Sequence, residues 1–100
     1  MLYFHLPLEG PAAHGWWFAD GNGPEKLEAL IKDRNVLGIF HGHHHSTAHY
    51  RWRDHDVFRP GAVKDGEGDV SIVHITDHEF ALATYNYRDE KWRSLFTKPR

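Results

Sequence analysis

The run Val36-Leu-Gly-Ile-Phe40 constrains the fold more than any other stretch of this chain. Its residues are uncharged and almost all large and apolar, with neither the alternation of a half-buried strand nor the three-to-four spacing of an amphipathic helix. So short an apolar run suits a strand buried on both faces, as in a parallel sheet flanked by helices. The segment just before it supplies such a helix. Residues 24–34 place Pro24 at a first helical position, Leu27, Leu30 and Ile31 on one face, and Glu28 and Lys32 four residues apart, with Asn35 as a stop. An amphipathic helix is expected there.

The flanking regions divide by composition. Leu2–Leu6 is a short apolar run stopped by Pro7, and residues 9–23, EGPAAHGWWFADGNG, carry the glycine and proline of an extended loop. In the second half, residues 49–53 and 56–59 read as short strands and RPGAVKDGEG as a loop. Residues 70–76 then alternate, with Val70, Ile72 and His74 on one face and Ser71, Val73 and Ile75 on the other. Residues 80–87 alternate again after the link Asp77-His78-Glu79, so this pair reads as a hairpin. There is no internal repeat.

One hundred residues fit one small domain, and 40% hydrophobic residues with 4 Trp, 6 Phe and 4 Tyr supply its core, which excludes disorder. Twelve basic against fourteen acidic residues leave a formal charge of -2, giving no basic patch for nucleic acid or an anionic membrane. No stretch nears the roughly 20 apolar residues that span a bilayer, and no basic segment precedes a long apolar core at the start. The chain as given reads as soluble, without a signal peptide. Because cysteine is absent, any metal must be held by His, Asp, Glu or Asn.

That chemistry directs attention to HGHHHS, residues 41–46, directly behind the apolar run. An internal position argues against a purification tag. Histidines on a turn at the end of a buried strand can be aimed at one cation, and the spacing of His43 and His45 suits two ligands in an extended backbone. Surface histidines also cluster with no ligand role, so the HxH spacing alone leaves both readings open.

The order of motifs adds more. FHLPLEG, the helix PEKLEALIKDRN, VLGIFHGHHHS, VFRPGAVKDG and two terminal strands together resemble the C-terminal part of a calcineurin-like metallophosphoesterase, over nearly the whole chain. The resemblance rests on His5-Leu6-Pro7 and on Gly42-His43-His44-His45, in that order behind two strands. It implies an α/β fold: the C-terminal half of a metallophosphoesterase-type α/β sandwich, a β-α-β unit followed by mainly antiparallel strands, with residues 1–100 as a single incomplete domain. It further implies that His5 and His43 bind one metal of a binuclear centre and His45 the other. Two divalent cations about 3.5–4 Å apart polarise a phosphoryl group and position the attacking water. Neutral imidazoles suit Mn, Zn, Fe, Co or Ni, without choosing among them.

The departures are equally informative. The family's upstream Asp-x-His pair, its Gly-Asp motif with the bridging carboxylate and its Gly-Asn-His motif are absent. Gly68-Asp69 sits before a late strand, and Gly21-Asn22 is followed by Gly23. The expected enzyme is therefore a phosphoesterase acting on phosphate mono- or diesters whose site is completed by a missing N-terminal half or a partner chain. The isolated chain is expected to be inactive, and an exposed sheet edge favours a homo-oligomer. A truncation, a late start or a split protein would each produce such a half. The alternative is a non-catalytic, histidine-rich module that binds a transition metal or a partner.

Other polar features read more plainly. Asp54, His55 and Asp56 suit a solvated turn. His74 suits a packed or surface position. His41 and His44 flank the ligands and suit phosphate contact or support of a ligand, and His14, Trp16 and Trp17 suit a substrate cleft or a core cover.

Overall fold

The computed structural model describes residues 1–5, 8, 21–42, 46–63 and 66–100. The apolar run enters a sheet at its end. Strand β2 (Ile39–His41) is buried at all three positions and lies between two parallel neighbours, β1 (Leu2–Phe4) and β4 (His55–Arg59). With β3 (Ala48–Trp52) beyond β4, the sheet order is β1-β2-β4-β3. This is the inner parallel strand that a continuous apolar run requires.

Helix α1 (Gly23–Ile31) joins β1 to β2, with Asn22 at its N-cap and Pro24 in the first turn. It ends three residues earlier than the sequence pattern suggests. Arg34 N–H reaches only to the Ile31 carbonyl, a tightened last turn, and Val36 N–H reaches to Arg34. Leu27 and Ile31 turn toward the sheet and meet Leu2, Leu8, Ile39, Trp52 and Val57 in one apolar cluster. Ile39 and Val57 are fully buried there, each contributing about 1.5–3 kcal/mol from removal from water. On the opposite face an aromatic row crosses the strands: Tyr3 to Phe40 at 5.8 Å, Phe40 to Phe58 at 5.3 Å and Phe58 to His49 at 4.7 Å between ring centroids.

The turn between β3 and β4 consists of Arg53 and Asp54, at φ 47° and 68°. Two left-handed residues define the mirror-image turn that matches strand twist, yet neither is glycine. Arg53 is held in this conformation by its neighbours: its guanidinium lies 5.0 Å from the Trp52 ring and reaches Glu25 at 3.2 Å and Glu28 at 3.4 Å. Glu28 therefore pairs with Arg53, where the helical spacing had suggested Lys32.

Strands β5 (Asp69–Ile75), β6 (Glu79–Asn86) and β7 (Lys91–Pro99) form a separate antiparallel sheet in the order β5-β6-β7. The hairpin β5-β6 is as expected, and β7 is an additional strand. Alternate residues of β6, Phe80, Leu82, Thr84 and Asn86, are buried, and Phe80 meets Phe96 edge-on at 6.4 Å. Between the pairs Thr84–Ser94 and Tyr85–Trp92 the register shifts, leaving Arg93 as the extra residue of a bulge. Two compact units divide the chain, Met1–His44 with His49–Arg59, and His45–Ala48 with Pro60–Arg100. No described helix is long and apolar enough to cross a membrane.

Candidate metal centre

Parallel pairing gathers the carboxyl ends of β1, β2 and β4 on one edge. The register Leu2–Ile39, Tyr3–Phe40, Phe4–His41 makes His5 and Gly42 the next residues out. Gly42 N–H is shared between the Phe4 carbonyl at 3.2 Å and the His5 carbonyl at 3.1 Å. A Cβ on Gly42 would stand 3.5 Å from His5 Nδ1. The exposed ring of His5 thus lies alongside Gly42, one residue ahead of His43. His43, His44 and His45 lie outside the described residues, as do Leu6, Pro7, His14, Trp16 and Trp17. Among the described residues no group of three or more His, Asp or Glu is placed to hold a metal ion.

His41, which flanks the proposed ligands in sequence, is turned into the core. Its ring is buried, stacks on Phe4 at 6.5 Å, and lies 2.7 Å from the Tyr50 hydroxyl through Nε2 and 3.1 Å from the Gly42 carbonyl through Nδ1. The carbonyl can only accept, so Nδ1 carries the proton donated to it, and Nε2 pairs with the Tyr50 hydroxyl. The ring thereby braces the peptide that leads into the histidine run. Tyr50 carries no motif; only the fold reveals its part.

The trio Asp54-His55-Asp56 also separates. Asp54 occupies the turn, but Asp56 is buried, accepting from His49 Nε2 at 2.9 Å and from Arg51 at 3.1 Å. The solvated reading holds for the first and fails for the third. His49 and Arg51 alternate on one face of β3, the only sequence signal for this pairing. An open cleft of about 390 Å³ at the opposite edge, lined by Glu25, Glu28, Lys32 and His55 among others, has its two glutamates paired to Arg53.

In the second unit, Thr47 follows the histidine run by two residues and lies 2.5 Å from Asp69 Oδ2 and 3.1 Å from the Pro60 carbonyl. Asp69 is 3% exposed and also receives Asn86 Nδ2 at 2.8 Å and the bulged Arg93 at 2.9 Å. Burial pushes the Asp69 carboxyl up, but the bonds from Thr47, Asn86 and Arg93, with the arginine charge, outweigh it and hold the group below the usual range. Both oxygens of the one Gly-Asp carboxylate are committed inside the protein.

The chain matches no protein-family model and no curated protein. Solved structures do match. A conserved uncharacterized protein from Streptococcus pneumoniae, described as a predicted phosphoesterase, superposes at a TM-score of 0.58 with 19% identity, covering 87% of this chain and 53% of its own. Vacuolar Protein Sorting 29 from Cryptosporidium parvum gives 0.59 and 17%, over 87% of this chain and 50% of its own. A single-residue variant of Vps29 from Entamoeba histolytica gives 0.51 and 17%, over 87% and 52%. The chain spans about half the length of each. It carries the calcineurin-like metallophosphoesterase fold, an α/β architecture, over that half.

Proposed function

We propose that this chain supplies the histidine ligands of a two-metal centre that hydrolyses phosphate mono- or diesters, with His5 and His43 on one cation and His45 on the other. The observation that carries the reading is the seat of His5, against Gly42 at the carboxyl ends of two parallel strands. Open parallel sheets gather their ligand sites on that edge. Imidazole nitrogens fit Mn, Zn, Fe, Co or Ni, and His5 is exposed where such an ion would be met. Divalent cations there would supply electrostatic stabilisation of a phosphoryl group. The chain's own part is to orient the donors: the paired ends of β1 and β2 set the His5 ring alongside Gly42, and His41 with Tyr50 braces the Gly42 carbonyl.

A complete centre also needs a carboxylate to fix the spacing of the ions. Asp56 is engaged by His49 and Arg51, and Asp69 by Thr47, Asn86 and Arg93. The bridging group then comes from a further half or a partner chain, in keeping with the half-length match. Calorimetric titration with Zn at neutral pH tests the ligands. His5→Ala, His43→Ala and His45→Ala should each weaken binding at least about tenfold, roughly 1.4 kcal/mol, while His14→Ala and His44→Ala should not. Binding should also weaken as pH falls and imidazole protonates. Loss on His44→Ala with retention on His5→Ala would make the run an unstructured chelator. Turnover of an aryl phosphate by the chain alone with Mn or Zn, abolished by His43→Ala, would show instead that its site is complete.

A further inference from the structure

Helix α1 begins on a cap that does not close. Asn22 stands at φ -97° and ψ 17°, is exposed, and makes no side-chain capping bond. The reason lies in the residues that follow it. Pro24, second in the helix, has no N–H to offer, and the Glu25 N–H is bonded by that residue's own carboxylate. Asn22 and Glu25 are spaced as in a capping box, yet Glu25 turns to Arg53 at 3.2 Å. Among the described residues nothing else bonds the Asn22 side chain.

The other asparagines are held quite differently. Asn35 precedes β-branched Val36, whose N–H is bonded to the Arg34 carbonyl at 3.0 Å. Asn86 is buried, donates to the Glu67 carbonyl and to Asp69, each at 2.8 Å, and accepts from the Asp89 N–H at 2.8 Å. It precedes Tyr87, whose N–H is bonded to the Gly68 carbonyl at 3.0 Å. Asn22 alone precedes a glycine. No side chain shields the Gly23 nitrogen, and its N–H, at the first helical position, has no carbonyl of the helix behind it.

We infer that Asn22 is a site of spontaneous covalent modification, where the Gly23 nitrogen displaces the side-chain amide and converts asparagine into aspartate and isoaspartate. The reagents are hydroxide and water. Gly23 N, its proton lost to hydroxide, attacks Asn22 Cγ; the Cγ–Nδ2 bond breaks, and the nitrogen takes a proton from water and leaves as ammonia. Water then opens the five-membered imide. Attack at Cγ gives aspartate, attack at the backbone carbonyl carbon gives isoaspartate, and nothing is oxidised or reduced. Ring closure needs Cγ and Gly23 N on the same side of the Cα–C bond. The Asn22 ψ must therefore swing away from 17°, releasing the Lys26 N–H that now reaches the Asn22 carbonyl at 3.1 Å. A terminal turn opens more readily than the helix interior, and Gly23 favours the opening because a residue before proline is disfavoured in the helical region. Aspartate at the cap complements the helix N-terminus. Isoaspartate inserts a methylene into the main chain and displaces the carbonyl that Lys26 uses.

The folded chain, held for several weeks in mildly alkaline buffer at body temperature and then mapped by proteolysis and mass spectrometry, should gain the amide-to-acid mass difference at Asn22 and not at Asn35 or Asn86. Isomerisation of Asp20 or Asp65, which also precede glycines, gives no mass change and is thereby set apart. Gly23→Ala should slow the gain at least about tenfold, with the circular dichroism of the fold retained. A synthetic peptide of residues 19–27 should react faster than the folded chain, because no helical turn has to open first. Asn22→Ser, a good cap in its own right, should remove the modification altogether. An unmodified Asn22 in the folded chain while the peptide reacts, an equal gain at Asn35, or a Gly23→Ala rate equal to that of the parent would overturn the inference.

Discussion

Replacing Asp69 by alanine tests whether the buried polar cluster stabilises the second unit. Asp69 accepts from Thr47, Asn86 and Arg93. Truncation strands one buried amide proton of Asn86, because the other is already on the Glu67 carbonyl at 2.8 Å. Thr47 has an alternative in the Pro60 carbonyl. An unsatisfied buried donor costs about 1–3 kcal/mol, and loss of bonds to a charged acceptor adds to it, so about 3 kcal/mol is expected in total. For a small domain that lowers Tm by on the order of 10–20 °C. Asp69→Asn should cost much less. Its amide nitrogen can face Thr47, whose hydroxyl accepts and passes its own proton to Pro60, leaving the carbonyl oxygen for Asn86 and for Arg93, which already reaches that oxygen at 3.0 Å. What asparagine removes is the charge. The folded pKa of Asp69 is depressed, so its contribution is present above the unfolded value of about 3.9 and lost as pH falls through the folded value. Urea denaturation at about pH 7 and in steps down to about pH 2 should therefore show the wild-type advantage over Asp69→Asn shrinking in acid. The reasoning is refuted by an Asp69→Ala loss under about 0.5 kcal/mol, by equal losses in both variants, or by an advantage independent of pH.

Further predictions follow from single contacts. Gly61 sits at φ 86° and a Cβ there would lie 3.0 Å from Thr47 Oγ1 and 3.2 Å from Thr47 N, so Gly61→Ala should cost more than about 1 kcal/mol, visible as a lower thermal midpoint. Tyr50→Phe removes the 2.7 Å contact to buried His41 and should cost about 1–2 kcal/mol in chemical denaturation; an unchanged midpoint would mean that the ring is braced by something else. Gly42→Ala brings its methyl only into ordinary contact with His5, at 3.5 Å, and should leave the thermal midpoint nearly unchanged.

The fold was legible where a pattern has a single physical use. A continuous apolar run suits an inner strand, and β2, which takes Ile39 and Phe40 from the end of the run together with His41, is that strand between two parallel neighbours. Boundaries were less legible because helix α1 tightens at Ile31 while its residues remain helix formers to Arg34. Strand β7 was hidden by its bulge: Trp92 and Leu95 share a face yet stand three positions apart, which breaks the period of two. That irregularity turns Arg93 onto Asp69, a link between residues 24 apart that no local spacing can announce.

The candidate site divides along the same line. His5 and Gly42 come together because two short parallel strands end in register, a relation carried by the order of His-Leu-Pro and Gly-His-His-His. Parity in an extended chain could not separate His41 from His43, since alternate side chains share a face. The separation comes from Tyr50, on a strand with β4 interposed, whose hydroxyl meets His41 in the core. A histidine whose two ring nitrogens are occupied by a hydroxyl and a backbone carbonyl has no lone pair directed outward for a cation. Density of histidines therefore overstates the number of donors: buried His41 supports the peptide at Gly42, and the proposed ligand role falls to the later histidines of the run with His5.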